Sequence, residues 1–323
     1  MQGRAEIGNL RTFGLLLAAL FIFVSGFFVS AGSYSGGWVP ILSGYCDIEA
    51  VTSYTGWGIA LGLLCATLLF VSVYIVSYPV LNTERERIVA VLLSSSIIFT
   101  DPRAVCFNSI YLAALCLVWV QFYVLRGEQY YIGFFLVSLA SLFFAPVIWA
   151  IPIALLLVFT DMQDGLRKLL KAIGGMLTPY ILFLSFRYMC FDDVGEFLHA
   201  FYGEMTKFSF GLFANHLSYI FLVLCTIIIV LRAMTQIVSG LRRTGIAEAH
   251  ADKLQCINVL LNCTLFLMFC GAAGTPLSPL IGAPLAILLS KYFSAQANSA
   301  AAKIEWIILL CALVVARLGY FIS

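Results

Sequence analysis

Apolar runs of close to twenty residues recur along the whole chain, and this feature restricts its fold more than any other. A transmembrane α-helix needs about 20 consecutive apolar residues to cross a hydrocarbon core of about 30 Å. The runs leave only 11% of the residues charged, whereas an average soluble domain has about 25%. The sequence therefore predicts an all-α, polytopic transmembrane helical bundle that forms a single integral membrane domain over residues 1–323.

The hydropathy pattern predicts about 11 membrane segments, some of them short or broken. They lie near residues 13–31, 57–77, 88–99, 104–125, 130–144, 147–159, 172–189, 215–235, 254–271, 279–294 and 304–322. The segments at 88–99, 130–144 and 147–159 are too short to cross the core as straight helices. We expect them to be half-helices or hairpins buried among their neighbours, because a membrane tolerates broken helices only where protein or a water-filled cavity satisfies the backbone.

The distribution of Lys and Arg predicts the orientation, because short cytoplasmic loops carry an excess of basic residues. With a cytoplasmic amino terminus, 14 of the 18 basic residues lie inside and only 4 lie outside. The outer residues are Arg103, Arg187, Lys207 and Arg317. This asymmetry predicts a multi-pass protein of the cell inner membrane.

Two outer loops, at about residues 32–56 and 190–214, are long enough to carry function. Both loops are acidic on balance. In the second loop, apolar residues between positions 193 and 208 recur at helical spacing. This pattern predicts a short amphipathic helix that lies on the bilayer surface.

Three outer basic residues, Arg103, Arg187 and Arg317, oppose the positive-inside bias and need polar partners. One interpretation is that they extend to lipid headgroups or pair with a loop carboxylate such as Asp192. The other is that they bind the phosphate of a lipid-linked substrate, because a planar guanidinium can donate two parallel hydrogen bonds to phosphate oxygens. The sequence leaves both interpretations open.

Asp47, Glu49 and Asp101 are the carboxylates that we expect near an outer cavity. Activation of an acceptor hydroxyl needs a general base, which makes Asp47 and Glu49 candidate catalytic residues. Asp101 lies in a turn with the sequence TDPR and is a candidate metal or substrate contact, where a divalent cation would be the cofactor. An Asp before Pro also suits a turn or a helix cap that binds no ligand.

Other sequence features narrow the classes of function. Asn258 and Asn262 lie one turn apart in an apolar segment, and we expect them to bridge helices. No Walker loop, dinucleotide fingerprint, nucleophile elbow or HExxH motif occurs, and no basic cluster with interleaved aromatics indicates nucleic acid. A small-solute transporter is a weaker interpretation, because no pair of ionisable residues lies near the predicted midplane.

Three stretches carry a resemblance to known families. They are SSSIIFTDPRAVCFNSIYLAALCLVWVQFYVLRG with the following YYIGFFLVSLASLFFAPVIWAIPIALLLVF, LLKAIGGMLTPYILFLSFRYM, and PLIGAPLAILLSKYFSAQANSAAAKIEWIILLCALVV. From about residue 57 onward, the chain resembles a family of uncharacterised multi-pass inner-membrane proteins of the Bacteroidota. The order of elements more distantly resembles the C-type glycosyltransferase superfamily, whose members take sugars from polyprenyl-phosphate carriers on the outer membrane face.

The second resemblance implies roles for individual residues. An acidic residue in the first outer loop is the base in that superfamily, which implies Asp47 or Glu49 here. An Asp at the start of a long helix recurs where Asp101 stands, which implies a metal or substrate contact. By the same resemblance, Arg187 or Arg317 would bind the phosphate.

The sequence therefore predicts a glycosyltransferase-like bundle that binds a lipid-phosphate group in an outer-face cavity, with or without glycosyl transfer from a polyprenyl-phosphate carrier. The alternative is a non-catalytic membrane subunit of a larger envelope, secretion or export complex. The expected partners are membrane lipids, including polyprenyl phosphate, and the other subunits of such a complex.

Overall fold

The computed structural model describes residues 2–25, 56–125, 129–152, 155, 165–206, 208, 217–240, 246–269 and 277–322. Within these residues all regular structure is helical, which confirms the all-α prediction. The α-helices are α1 (Gln2–Ser25), α2 (Gly56–Val76), α3 (Glu84–Ile98), α4 (Ser109–Leu125), α5 (Tyr130–Phe143), α6 (Gly165–Cys190), α7 (Val194–Thr206), α8 (Leu217–Gly240), α9 (Ile246–Phe269), α10 (Ser278–Ala295) and α11 (Ala300–Ile322). Two 3₁₀ helices, Pro102–Val105 and Ala145–Trp149, complete the described helices.

The bundle has two ends, which are identified by contacts between α3 and α10. At one end, the Ser278 hydroxyl donates a hydrogen bond to Ile98 O at 3.0 Å. At the other end, the Ser290 hydroxyl donates to Glu86 O at 2.6 Å. We call these the Arg103 end and the Lys291 end. The charge distribution predicts that the Arg103 end faces outward, and this orientation stays a prediction.

α10 is the central helix of the bundle. Of its 18 residues, 14 are buried, and it packs against α3, α4, α8 and α9. The surrounding helices expose large apolar side chains, among them Leu64, Ile181, Ile228 and Ile307. Extensive apolar surface on the outside of a bundle with an apolar centre suits a lipid environment better than water.

Four helical segments are long and apolar enough to cross a membrane, by length and composition: α2, α6, α8 and Ala251–Phe269 of α9. They are compatible with a membrane protein, while the total number of crossings stays a prediction. α3 and α5 have 15 and 14 residues. At about 1.5 Å per residue they reach only about 22 Å, so the segments expected at 88–99 and 130–144 are confirmed as short helices.

The second predicted loop contains the expected amphipathic helix, α7. Phe197 and Phe201 of α7 are buried against α6, where the rings of Phe183 and Phe197 have centroids 5.0 Å apart. Tyr202, on a neighbouring face of α7, is exposed. The region 190–214 is thus helical from Val194 to Thr206, whereas most of the first loop, 32–55, lies outside the described residues.

Candidate functional site

The turn between α3 and α4 places Asp101 and Arg103 side by side. Asp101 caps the 3₁₀ helix, because its Oδ1 accepts a hydrogen bond from the Arg103 backbone N–H at 3.0 Å. The Arg103 side chain donates from Nε to Oδ1 at 2.9 Å and from Nη2 to Oδ2 at 2.7 Å. Asp101 is only 4% exposed. This two-point contact fixes the plane of the Arg103 guanidinium.

The pair with Arg103 gives Asp101 a structural role in addition to the ligand role expected from the sequence. Both of its carboxylate oxygens accept hydrogen bonds from Arg103. Within the part of the chain that the structure describes, no group of three His, Cys, Asp or Glu side chains could hold a metal ion. The metal or substrate role of Asp101 stays a prediction. Asp47 and Glu49 lie outside the described residues.

Close contacts with α2 and α4 hold this turn on both sides. The Phe107 N–H donates to Gly58 O at 2.9 Å. A Cβ placed on Gly62 would stand 2.6 Å from the carbonyl carbon of Cys106, so only glycine allows the α2 backbone to approach the turn this closely. From α4, the Tyr111 hydroxyl donates to a backbone carbonyl of the turn. The predicted segment 104–125 therefore begins as a separate turn, and its helix starts only at residue 109.

Arg317 of α11 reaches the same end of the bundle and is fully buried. Its Nε donates to Ser25 Oγ at 2.8 Å and its Nη1 to Thr100 O at 3.3 Å. Tyr320, which the sequence analysis missed, lies one turn further along α11 and forms a side-chain hydrogen bond with Arg103. Four residues thus form what we call the arginine cluster: Asp101, Arg103, Arg317 and Tyr320.

Arg187 pairs with Asp193 at the junction of α6 and α7. Its Nε donates to Asp193 Oδ1 at 2.8 Å, and its Nη2 donates to Oδ2. The guanidinium also lies over the Phe197 ring, 4.8 Å from the ring centroid. This agrees with the interpretation that a loop carboxylate is the partner, although the residue is Asp193 and the one named from the sequence was Asp192. Phosphate binding by Arg187 stays a prediction.

An apolar cavity of about 230 Å³ lies between α8, α9 and α10. Its wall includes Ile97 of α3, Leu313 of α11 and Ser278 of α10. Ile97 precedes Thr100, and Leu313 precedes Arg317, by about one helical turn. The cavity therefore reaches the end of the bundle that contains the arginine cluster, and along α8 it extends to Met234, toward the Lys291 end.

A chain of buried amide side chains joins α4, α9 and α10. Asn262 donates to Asn258 Oδ1 at 2.8 Å, and Asn258 donates to Gln121 Oε1 at 3.0 Å. Gln121 donates to Gln255 Oε1, and Gln255 Nε2 donates to Pro284 O at 2.6 Å. The predicted helix bridge is confirmed for Asn258, whereas Asn262 donates to Asn258 within α9. Neither glutamine was predicted from the sequence, although an isolated amide in a strongly apolar segment is the signal that identifies such a bridge.

Ion pairs that the sequence analysis also missed join helices at the Lys291 end. Lys291 contacts Asp252 and Glu248 of α9, and Arg232 of α8 pairs with Glu305 of α11. These side chains lie toward the Lys291 end of their helices, with Arg232 eight residues before the end of α8. Their positions suit a structural connection between helices better than a charge pair at the membrane midplane.

No known protein family, characterised protein or solved structure matches the chain. The resemblances drawn from the sequence therefore stay predictions. A functional proposal depends on the arginine cluster and on the cavity that reaches the same end of the bundle.

Proposed function

We propose that this chain is a multi-pass inner-membrane protein that binds the phosphate group of a lipid at its outer face, with Arg103 and Arg317 as the phosphate-binding residues. The observation that carries the proposal is the presence of two arginines at an end of the bundle that an apolar cavity reaches. A lipid phosphate has the two matching parts, an anionic headgroup and a hydrocarbon chain. Arginine forms strong charge-assisted hydrogen bonds with phosphate oxygens.

The fixed positions of both guanidinium groups support this proposal. Asp101 holds Arg103 through two side-chain hydrogen bonds. Arg317 is held by hydrogen bonds to Ser25 Oγ and Thr100 O. Groups that are ordered before a ligand arrives lose less conformational entropy on binding, so affinity rises.

Lipid retention tests the proposal directly. Purified Arg317→Ala protein should lose polyprenyl phosphate in native mass spectrometry, with affinity lower by about 10-fold or more, because a hydrogen bond to a charged group contributes about 1.5–3 kcal/mol. The double variant Asp101→Asn/Arg103→Gln should do the same without leaving a buried lone charge. Equal retention by the wild type and both variants would refute the phosphate site. Loss only in Arg187→Ala would move the site to the junction of α6 and α7.

The orientation needs its own test, because the outward position of the site depends on it. Single cysteines at Ser33 and Lys207, on a cysteine-free background, should react with an impermeant reagent from outside intact cells. Cysteines at Arg85 and Arg243 should react only after permeabilisation. The reverse pattern would place the arginine cluster on the cytoplasmic side.

We also propose glycosyl transfer from a polyprenyl-phosphate carrier as the reaction of this site, with Asp47 or Glu49 as general base. Asp47→Asn and Glu49→Gln should then abolish transfer to an acceptor while expression and thermal stability remain close to wild type.

The competing proposal is a non-catalytic subunit of an envelope complex. Arg103 donates hydrogen bonds to both carboxylate oxygens of Asp101. This contact favours the non-catalytic subunit, because a carboxylate engaged in this way is better suited to a binding role than to a catalytic one. If another protein co-purifies with the chain and these substitutions disrupt that association, the result supports the non-catalytic subunit.

A further inference from the structure

The amino-terminal end of α6 presents a basic surface that the proposed function does not use. Arg167, Lys168 and Lys171 bring three positive charges into its first two turns, and neither α6 nor α5 contains an acidic residue. Arg167 and Lys171 are four residues apart, so they share a face of the helix with Cβ atoms about 5–6 Å apart. Within the described residues, neither of these two forms an ion pair. Lys168 Nζ lies 5.8 Å from the centroid of the Tyr130 ring.

A notch follows the basic pair on the same face of α6. Gly174 has no side chain there, and an added Cβ would meet only the ring of Tyr131, at 3.8 Å. The Tyr131 hydroxyl hydrogen-bonds to Thr178 Oγ1 at 3.0 Å, so the ring lies along α6 and borders the notch. The exposed side chains of Leu177 and Ile181 continue the apolar surface beyond it.

We propose that this surface binds an anionic phospholipid of the membrane, with its phosphate at Arg167 and Lys171 and an acyl chain in the notch at Gly174. The site lies at the opposite end of the bundle from the arginine cluster. Arg103 precedes the start of α4, whereas Lys168 contacts the residue that begins α5, just after α4 ends. The inference thus concerns the other membrane leaflet and goes beyond the proposed function.

The length of α6 places these cations at headgroup level. The helix has 26 residues, or about 39 Å at about 1.5 Å per residue, compared with a hydrocarbon core of about 30 Å. Its first turns therefore extend past the core. The three cations of α6 also outnumber the two carboxylates, Asp161 and Asp164, that precede it in the sequence. This excess favours an anionic headgroup over a zwitterionic one, whose amine the cations would repel.

A charge-matched comparison tests the headgroup contact. The purified protein in detergent is titrated with phosphatidylglycerol, and bound lipid is measured by native mass spectrometry. Arg167→Gln/Lys171→Gln should bind about 30-fold more weakly, since each basic residue near an anionic surface contributes about 1 kcal/mol. The control Lys253→Gln/Lys303→Gln removes the same charge at the same end of the bundle and should bind like wild type. Equal weakening by both double variants would show a non-specific charge effect and overturn the site.

A substitution in the notch distinguishes the binding of a phospholipid from the binding of a free phosphate. Gly174→Leu leaves the cations in place but fills the space proposed for the acyl chain, and it should also weaken phosphatidylglycerol binding. The matched control is Gly14→Leu on α1, where an added Cβ meets nothing within 4 Å. Wild-type binding by Gly174→Leu would overturn the acyl-chain contact. In Arg317→Ala protein, which lacks the proposed outer site, the α6 substitutions should weaken phosphatidylglycerol binding by the same factor, so the two sites are tested separately.

Discussion

Replacing Gly62 with alanine should displace the turn that carries Asp101 and Arg103. The added Cβ would stand 2.6 Å from the carbonyl carbon of Cys106 and 2.7 Å from Phe107 N, whereas ordinary contacts are 3.4–4 Å. Because both are backbone atoms, the turn has to move by about 1 Å relative to α2. Overpacking of this kind costs about 1–3 kcal/mol, so we expect the protein to fold with lower thermal stability.

Cys106 reports this displacement, because it lies in the turn and is only 4% exposed. Burial raises the pKa of its thiol from an ordinary 9.0 to about 11. At pH 8 this change lowers the thiolate fraction from about 10% to about 0.1%, and the thiolate is the form that reacts. If the substitution exposes the thiol, maleimide should label Cys106 about 100-fold faster than in the wild type. The rate is measured with Cys106 as the sole cysteine.

Two controls distinguish local displacement from general unfolding. Gly14→Ala and Gly56→Ala add a methyl group to open space, so they should leave the labelling of Cys106 unchanged. A sole cysteine at the buried position Cys116 should stay protected in the Gly62→Ala protein. If Cys106 remains as protected in Gly62→Ala as in the wild type, the turn does not depend on its contact with α2, and the reasoning is refuted.

Substitutions at two further polar contacts are tested by thermal unfolding in detergent. Arg187→Ala removes the bidentate partner of Asp193 and should lower stability by about 1.5–3 kcal/mol; an unchanged midpoint would contradict a stabilising pair. Gln255→Leu removes the acceptor of Gln121 and should cost about 1–3 kcal/mol, whereas Gln121→Leu/Gln255→Leu should cost less than the sum of the two single substitutions. Strict additivity would show that the two amides do not interact.

The helices could be predicted where long apolar runs decide the structure, and their boundaries could not. The prediction for α6 began at residue 172, but the helix starts at Gly165. The prediction for α9 began at residue 254, but that helix starts at Ile246. In both cases the missing turns contain charged residues, which form helix well but end a hydropathy segment. Hydropathy therefore locates the apolar part of a helix and underestimates its length.

Individual residues of the arginine cluster could be predicted from the sequence, but the contacts between them could not. Asp101, Arg103 and Arg317 stand out because they are charged residues at an end where the pattern predicts few cations. Tyr320 gives no such signal, since tyrosine is common near membrane interfaces. The contact between Arg317 and Ser25 joins positions 292 residues apart, and a local pattern carries no information at that distance.

Arg187 and Arg317 differ in how far along the chain their hydrogen-bond partners lie. Arg187 pairs with an acid only 6 residues away, so this contact can form as soon as α6 and α7 fold against each other. The hydrogen bonds of Arg317 reach 292 and 217 residues back along the chain and require α1, α3 and α11 to be assembled. A fully buried guanidinium costs free energy wherever it lies. The whole bundle holds Arg317 beside a second arginine, at an end that the apolar cavity reaches, and the ligand binding proposed for Arg317 rests on this arrangement. A local ion pair, by contrast, accounts for the position of Arg187.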